Sequence, residues 1–139
     1  MSCELCAGPG GAVLWQDALC RVVHVEEAGY AGYCRVIWNE HVKEMSDLSA
    51  IERARLFHVV LAVETVLRAF MRPDKINLAS LGNITPHLHW HVVPRFVDDP
   101  HFPQSIWSAR QRDARPRESA ELDRLAGALL TALGKPHVN

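Results

Sequence analysis

The chain has 139 residues, 48% of them hydrophobic and 22% charged, and a formal net charge of -1. That length and composition suit one compact domain with a real core. The near-neutral balance excludes a global pull toward polymeric nucleic acid or an acidic membrane, while a local site for a small anion stays open.

The first six residues, Met-Ser-Cys-Glu-Leu-Cys, carry neither the basic region nor the long apolar run of a secretory signal. The longest apolar stretch, Val59 to Val63, is too short to span a bilayer. A cytoplasmic location without a membrane partner is therefore expected, with the four cysteines reduced. Cys3 and Cys6 form a C-x-x-C pair, which in such a compartment reads as metal-binding or redox chemistry before a structural disulfide. Cys20 and Cys34 stand alone in apolar segments and are expected to be buried core thiols.

Short β-like runs follow at Ala12 to Gln16, Cys20 to Val25 and Cys34 to Trp38, with Gly29 and Gly32 marking the turn between the last two. Ser49 and Glu52 then form a capping box. Leu56, Val60, Val63, Leu67 and Phe70 recur at helical spacing behind it, and Pro73 stops the helix. A strand is expected over Ile76 to Leu81, a loop at Gly82 and Asn83, and another strand over residues 87 to 94. Residues 98 to 117 are irregular. The last segment, Glu118 to Leu133, is amphipathic through Leu122, Leu125, Leu129 and Leu133, and Gly134 and Pro136 end it. Strands and helices without regular βαβ alternation indicate an α+β fold with an antiparallel sheet.

The chemistry lies in His87-Leu88-His89-Trp90-His91-Val92-Val93-Pro94-Arg95. Alternation along a strand puts the three histidines on one face and Leu88, Trp90 and Val92 on the other. An exposed strand has no need of three imidazoles in strict alternation. A metal held by these three alone is excluded by reach: the outer two lie about 13 Å apart on a regular strand, against bonds of about 2 Å. A row of neutral imidazoles suits nucleophilic attack on phosphorus, with a neighbour donating protons. Gly82 and Asn83, just upstream, offer close backbone approach and an amide donor to a phosphate oxygen.

Residues 87 to 93 match at every position the signature His-φ-His-φ-His-φ-φ, with φ apolar, so the chain resembles the histidine triad (HIT) family. The resemblance extends to Pro94, Arg95 and Gly82-Asn83 and covers roughly residues 1 to 110. It implies a HIT-like fold with about five antiparallel strands, one long helix and a C-terminal helix. Residues 1–139 would form a single HIT domain, with 111–139 as its C-terminal extension. It also implies a homodimer joined through the sheets; Phe57 and Leu61, beside the main helical stripe, either meet that partner or widen the core face.

Carried over by position, His89 is the nucleophile, His91 contacts the phosphate and leaving side, and Asn83 is the phosphate-contacting amide. Asn77 lies near a second nucleotide-contacting position, and Glu26 is the nearest candidate for the ribose-binding residue. The family's cysteine-bearing branch implies a structural zinc ion on Cys3, Cys6, His41 and His87. The function implied is a nucleotide hydrolase or nucleotidyl transferase that cleaves a nucleoside phosphate, phosphoramidate or dinucleoside polyphosphate through a nucleotidyl-histidine. A nucleotide-binding protein of the same fold without turnover, or a small zinc-stabilised interaction module, are the competing readings.

Departures from the family pattern are visible. Members commonly read Gly-His-x-φ-φ-φ-Pro-Lys-x-His before the long helix, and this chain reads Gly32-Tyr33-Cys34-Arg35-Val36-Ile37-Trp38-Asn39-Glu40-His41. Tyr33 replaces a histidine that borders the site, Trp38 replaces the proline, and Ile84 replaces a Ser or Thr. These leave the reaction centre in place and bear on the substrate. Trp107 and the arginines at 110, 112, 115 and 117 read as a solvated loop with one packed aromatic, and base stacking by Trp107 is the functional alternative.

Overall fold

The computed structural model describes residues 2–118 and 121–135. A short helix α1 (Glu4–Ala7) precedes strands β1 (Ala12–Gln16), β2 (Cys20–His24) and β3 (Cys34–Trp38). A 3-10 turn (Met45–Asp47) leads into the long helix α2 (Ala50–Met71). Strands β4 (Lys75–Ala79) and β5 (His89–Arg95) and helix α3 (Leu122–Leu133) complete the chain. The strands make one antiparallel sheet in the order β1-β2-β3-β5-β4. The architecture is the expected α+β.

Helix α2 starts where the capping box predicts. Ser49 Oγ accepts from the Glu52 amide at 3.2 Å, and Glu52 Oε1 accepts from the Ser49 amide at 2.7 Å. It ends at Met71 because Arg72 turns left-handed at φ 48° and Pro73 cannot continue the ladder. Leu56, Val60, Val63 and Leu67 are buried as the periodicity requires, joined by Val59 and Val66. Burying six such side chains contributes roughly 10 kcal/mol, against about 1 kcal/mol from the cap, so packing on the sheet holds this helix. Helix α3 begins at Leu122, later than Glu118, where its leucine stripe begins; Leu125 and Leu129 enter the same core. Pro136 lies outside the described residues.

The core fills one side of the sheet. Cys20, Val22, Cys34, Val36, Trp38 and Val92 pack there against α2 and α3. Both isolated cysteines are buried as expected, and burial pushes each thiol up to about 12. The opposite side carries Arg35 opposite His91 and Ile37 opposite His89 in register, so the functional face is the one that α2 leaves uncovered.

Strands β2, β4 and β5 differ by one or two residues at their ends from the expected ranges, and two of these differences bear on the site. Strand β4 ends at Ala79, because Ser80 Oγ donates to the His89 carbonyl at 2.7 Å and closes the pairing. Strand β5 begins at His89. His87 lies just before it, its amide donating to the Thr85 carbonyl at 2.8 Å. The triad is therefore two strand residues and one turn residue, which frees His87 to face a different set of neighbours.

Candidate active site and metal centre

A cavity of about 480 Å³ opens on the uncovered face of the sheet, lined by Arg35, Gly82, Asn83, His89, His91 and Trp107 among others. Strand β5 presents the two histidines. Gly82 adopts φ 71°, a left-handed conformation that a side chain disfavours, and so turns the loop that rims the cavity. The N-terminal segment closes another edge, where Glu4 Oε1 accepts from Thr85 Oγ1 at 3.0 Å.

The hydrogen bonds assign the imidazole protons. His89 Nδ1 lies 2.6 Å from the His87 carbonyl, which can only accept. Nδ1 therefore carries the proton, and the Nε2 lone pair is left for the cavity. Burial lowers the pKa of His89, followed by the Arg35 charge, which favours the neutral ring.

His91 Nδ1 lies 2.5 Å from the Tyr33 hydroxyl. The Tyr33 hydroxyl is buried with no other acceptor among the described residues, so its O–H donates to Nδ1. His91 then bears its own proton on Nε2. Burial, His89 and Arg35 push the His91 pKa down to about 3. His91 is thus a neutral hydrogen-bond donor beside the His89 ring, whose centroid is 4.9 Å away. The Trp107 ring also stands 4.9 Å from His91 and is half exposed, which suits a flat ligand surface.

His87 faces away from this pair. Its Nε2 donates to the Trp38 carbonyl at 2.6 Å, which leaves the Nδ1 lone pair free. That atom lies 3.4 Å from Cys3 Sγ, 3.5 Å from Cys6 Sγ and 3.2 Å from His41 Nδ1, and Cys6 Sγ lies 3.4 Å from His41 Nδ1. All four donor atoms fall within 4.8 Å of one another. A tetrahedron with bonds of about 2.0 Å to nitrogen and 2.3 Å to sulfur has edges of about 3.3–3.8 Å. Two thiols, two imidazoles and those spacings fit zinc.

Arg21, a residue the sequence did not single out, holds this corner. It is buried on β2 and donates to the Leu5, Gly8 and Pro9 carbonyls at 2.6, 3.2 and 2.8 Å. It also donates to Asn39 Oδ1 at 2.9 Å. One guanidinium so pins the segment that carries the C-x-x-C pair onto the sheet. A lone charged residue in an apolar run was its signal.

The expected substrate residues separate. Asn83 and Gly82 line the cavity with His89 and His91. Asn77 does not line it; its amide oxygen accepts from Arg95 Nη1 at 2.7 Å. Arg95 is buried in an ion pair with Asp99, at 2.7 Å, that fixes the loop after β5. Glu26 is exposed and lines a different pocket, with His24, Tyr30 and Arg115. Arg35 was not among the expected site residues and Trp107 was named only as an alternative to a packed loop aromatic; the fold brings both to the cavity.

Residues 10–98 match the HIT domain. This chain belongs to the histidine triad family. A histidine triad protein of Bradyrhizobium japonicum superposes with a TM-score of 0.72 at 25% identity, over 90% of this chain and 92% of that one. A zinc-bound histidine triad family protein of Mycobacterium smegmatis shares the fold, with a TM-score of 0.62 at 20% identity over 96% and 94% of the two chains. A curated relative of Mycobacterium tuberculosis, named AP-4-A phosphorylase, is 31% identical over 77 residues. That match takes in 51% of this histidine triad chain and only 40% of the relative's length.

Proposed function

We propose that this histidine triad protein is a nucleotide hydrolase or nucleotidyl transferase. It would act on a nucleoside phosphate, phosphoramidate or dinucleoside polyphosphate. The observation that carries the reading is the state of His89. Its Nδ1 proton is held by a backbone carbonyl at 2.6 Å, and its Nε2 is free in a cavity beside the neutral donor His91. A mycobacterial relative named as a phosphorylase of AP-4-A supports the nucleotide class.

In the first step the His89 Nε2 lone pair attacks phosphorus. The bond from phosphorus to the leaving oxygen or nitrogen breaks, and that atom departs with its electron pair. His91 Nε2–H donates to the charge building on the phosphoryl or departing oxygen. The Asn83 amide reaches the phosphate from the rim. Water then attacks the same phosphorus, the electron pair of the P–N bond returns to Nε2, and the water's proton leaves to the departing group or to solvent. An alcohol or a phosphate in place of water gives transfer.

Cys3, Cys6, His41 and His87 would hold a structural zinc ion, which supplies a crosslink between the N-terminal segment and the turn before β5. The spacing of the four donors supports it, as does the zinc-bound neighbour of the same fold. His87 would then be fixed at both ring nitrogens. Its carbonyl is the group that orients His89, so the metal corner and the nucleophile meet in one residue.

The chain would act as one HIT domain, with α3 an extension packed on it. We place the chain in a reducing, cytoplasmic setting because the Cys3–Cys6 donor pair of the metal corner needs free thiols, and no helix among the described residues is long and apolar enough to cross a membrane. Phe57 and Leu61 on α2 are exposed, and so is Leu78 on the edge strand β4, which pairs with Val92 and so faces the α2 side. That apolar strip beside an open sheet edge supports a homodimer.

The test is His89→Ala together with rapid quench of the wild type on adenosine and guanosine phosphates, phosphoramidates and dinucleoside polyphosphates. The variant should keep its fold and nucleotide affinity and lose turnover by at least about 1,000-fold. The wild type should yield a nucleotidyl adduct on His89. Wild-type binding of nucleotides with no turnover of any of them would instead make the chain a nucleotide-binding protein.

A further inference from the structure

Arg35 is an unexpected residue to find in this place. Strand β3 is otherwise buried along its length, with the pattern of an interior strand of the sheet. In the pattern Gly-His-x-φ-φ-φ-Pro, Arg35 occupies the first φ, where an apolar side chain is expected. Arg35 is half-buried there, and a polar atom buried in such a strand calls for a hydrogen-bond partner. Its Nε is a buried donor without an acceptor among the described residues. No carboxylate among them lies within ion-pair distance of its guanidinium. What the guanidinium meets is the face of Tyr33, 5.6 Å from the ring centroid.

Its position gives this unpartnered side chain a direction. Arg35 stands opposite His91 in the β3–β5 register and lines the same cavity as His89 and His91. Of the groups lining that cavity it is the one whose positive charge does not depend on pH, and the carboxylate at the rim, Glu4, is engaged by Thr85. The nucleophile is His89, and its neighbour His91 serves the phosphoryl oxygens. Arg35 stands on the neighbouring strand, directly opposite His91 in the pairing. A fork of N–H donors suits phosphate, which it binds through two oxygens at once.

We propose that Arg35 is a substrate-binding residue that takes a second phosphate, adjacent to the phosphorus attacked by His89. It thereby selects phosphate-chain substrates over those whose leaving group is an uncharged amine. This rests on the reading of His89 as a nucleophile at phosphorus. The charge on the bridging and terminal oxygens of the departing phosphate grows as the P–O bond breaks, so Arg35 contributes most in the transition state of that class. An amine leaving group offers it nothing to hold.

The experiment compares wild type, Arg35→Leu and Arg35→Lys on two substrates, diadenosine tetraphosphate and adenosine 5′-phosphoramidate. In Arg35→Leu the ratio of kcat/KM for the tetraphosphate over the phosphoramidate should fall by about 100-fold, and Arg35→Lys should recover part of it. The melting temperature of Arg35→Leu should hold or rise, because an unsatisfied buried donor is removed. A second arm uses the inactive His89→Ala background and titrates AMP and ADP. The second phosphate should tighten binding about tenfold, and Arg35→Leu should abolish that difference. An unchanged kcat/KM ratio, or an ADP preference that survives the loss of Arg35, overturns the proposal. Failure of the wild type to turn over either substrate would instead overturn the reading of His89, and the AMP and ADP titration would still decide the role of Arg35.

Discussion

The Tyr33 hydroxyl donates to His91 Nδ1 across 2.5 Å in a buried contact, and this bond decides which nitrogen of His91 faces the cavity. Tyr33→Phe removes the donor and keeps the ring. His91 is then free to take either tautomer, and the form with a bare Nε2 cannot donate to a phosphoryl oxygen. We expect kcat to fall about 2–10-fold with KM little changed, the loss of one buried hydrogen bond. Nitrogen NMR of His91 should show the Nε2–H form in the wild type and a mixture in the variant. A single Nε2–H form in both would remove Tyr33 from the mechanism.

The pKa of His91 is held near 3, against an ordinary value of 6.5, first by burial and then by His89 and Arg35. In activity this predicts that the acid limb owed to His91 lies well below pH 6. In stability the sign follows from the unfolded chain, which takes up a proton at about 6.5 that the folded ring refuses. Stability is therefore full above pH 6.5 and falls as pH drops toward 3, by up to about 1.4 kcal/mol per pH unit. Urea melts at successive pH values should show this slope flattened in His91→Gln.

Cys3→Ser with Cys6→Ser removes both thiolates from the candidate zinc site. Metal analysis should find about one zinc per chain in the wild type and none in the double variant. The melting temperature should drop by several degrees. Because the His87 carbonyl orients His89, kcat should fall as well, with the nucleotide still bound. A metal-free wild type with full stability and activity would exclude the site.

The Arg95–Asp99 pair is a structural counterpart to these cavity groups. Burial alone would push the Asp99 carboxyl up, but Arg95 and the amides of Phe96, His101 and Phe102 overcome it and hold the pKa at about 2. Arg95 also reaches Asn77 and the Gln104 carbonyl, so the pair anchors the loop that leads to Trp107. Asp99→Asn leaves a buried guanidinium without its counter-charge and should cost about 3–5 kcal/mol in denaturant melts. A cost below about 1 kcal/mol would mean that the loop is held by other contacts.

Light scattering tests the homodimer. Twice the chain mass of 15.6 kDa is expected at micromolar concentration. Replacing Leu61 and Leu78 by Lys places charges on the exposed strip and should shift the protein to single chains without unfolding it. A wild type that already runs at the chain mass would exclude the dimer.

The sequence alone determined those features that depend on neighbours a few residues away. The Ser49–Glu52 box, the 3.6-residue spacing in α2, the β-runs and the alternation from His87 to His91 all arise from local geometry, and they located the helix, most strand cores and the nucleophile candidate. The C-x-x-C pair and the family pattern also pointed to the four donors that the fold then brought together. Tertiary structure decided the rest, because each deciding contact joins distant residues. Cys3 meets His87 across 84 positions and Tyr33 meets His91 across 58, and no periodicity links such pairs. Register alone sets Arg35 opposite His91. Asn77 and Glu26, placed near the nucleotide by position along the chain, were separated from the cavity by packing: Asn77 is taken by Arg95, and Glu26 lies in another pocket. Spacing along the chain specifies a strand and its faces. Which charges and hydroxyls finally surround the reacting atoms is set by how those faces are stacked and closed.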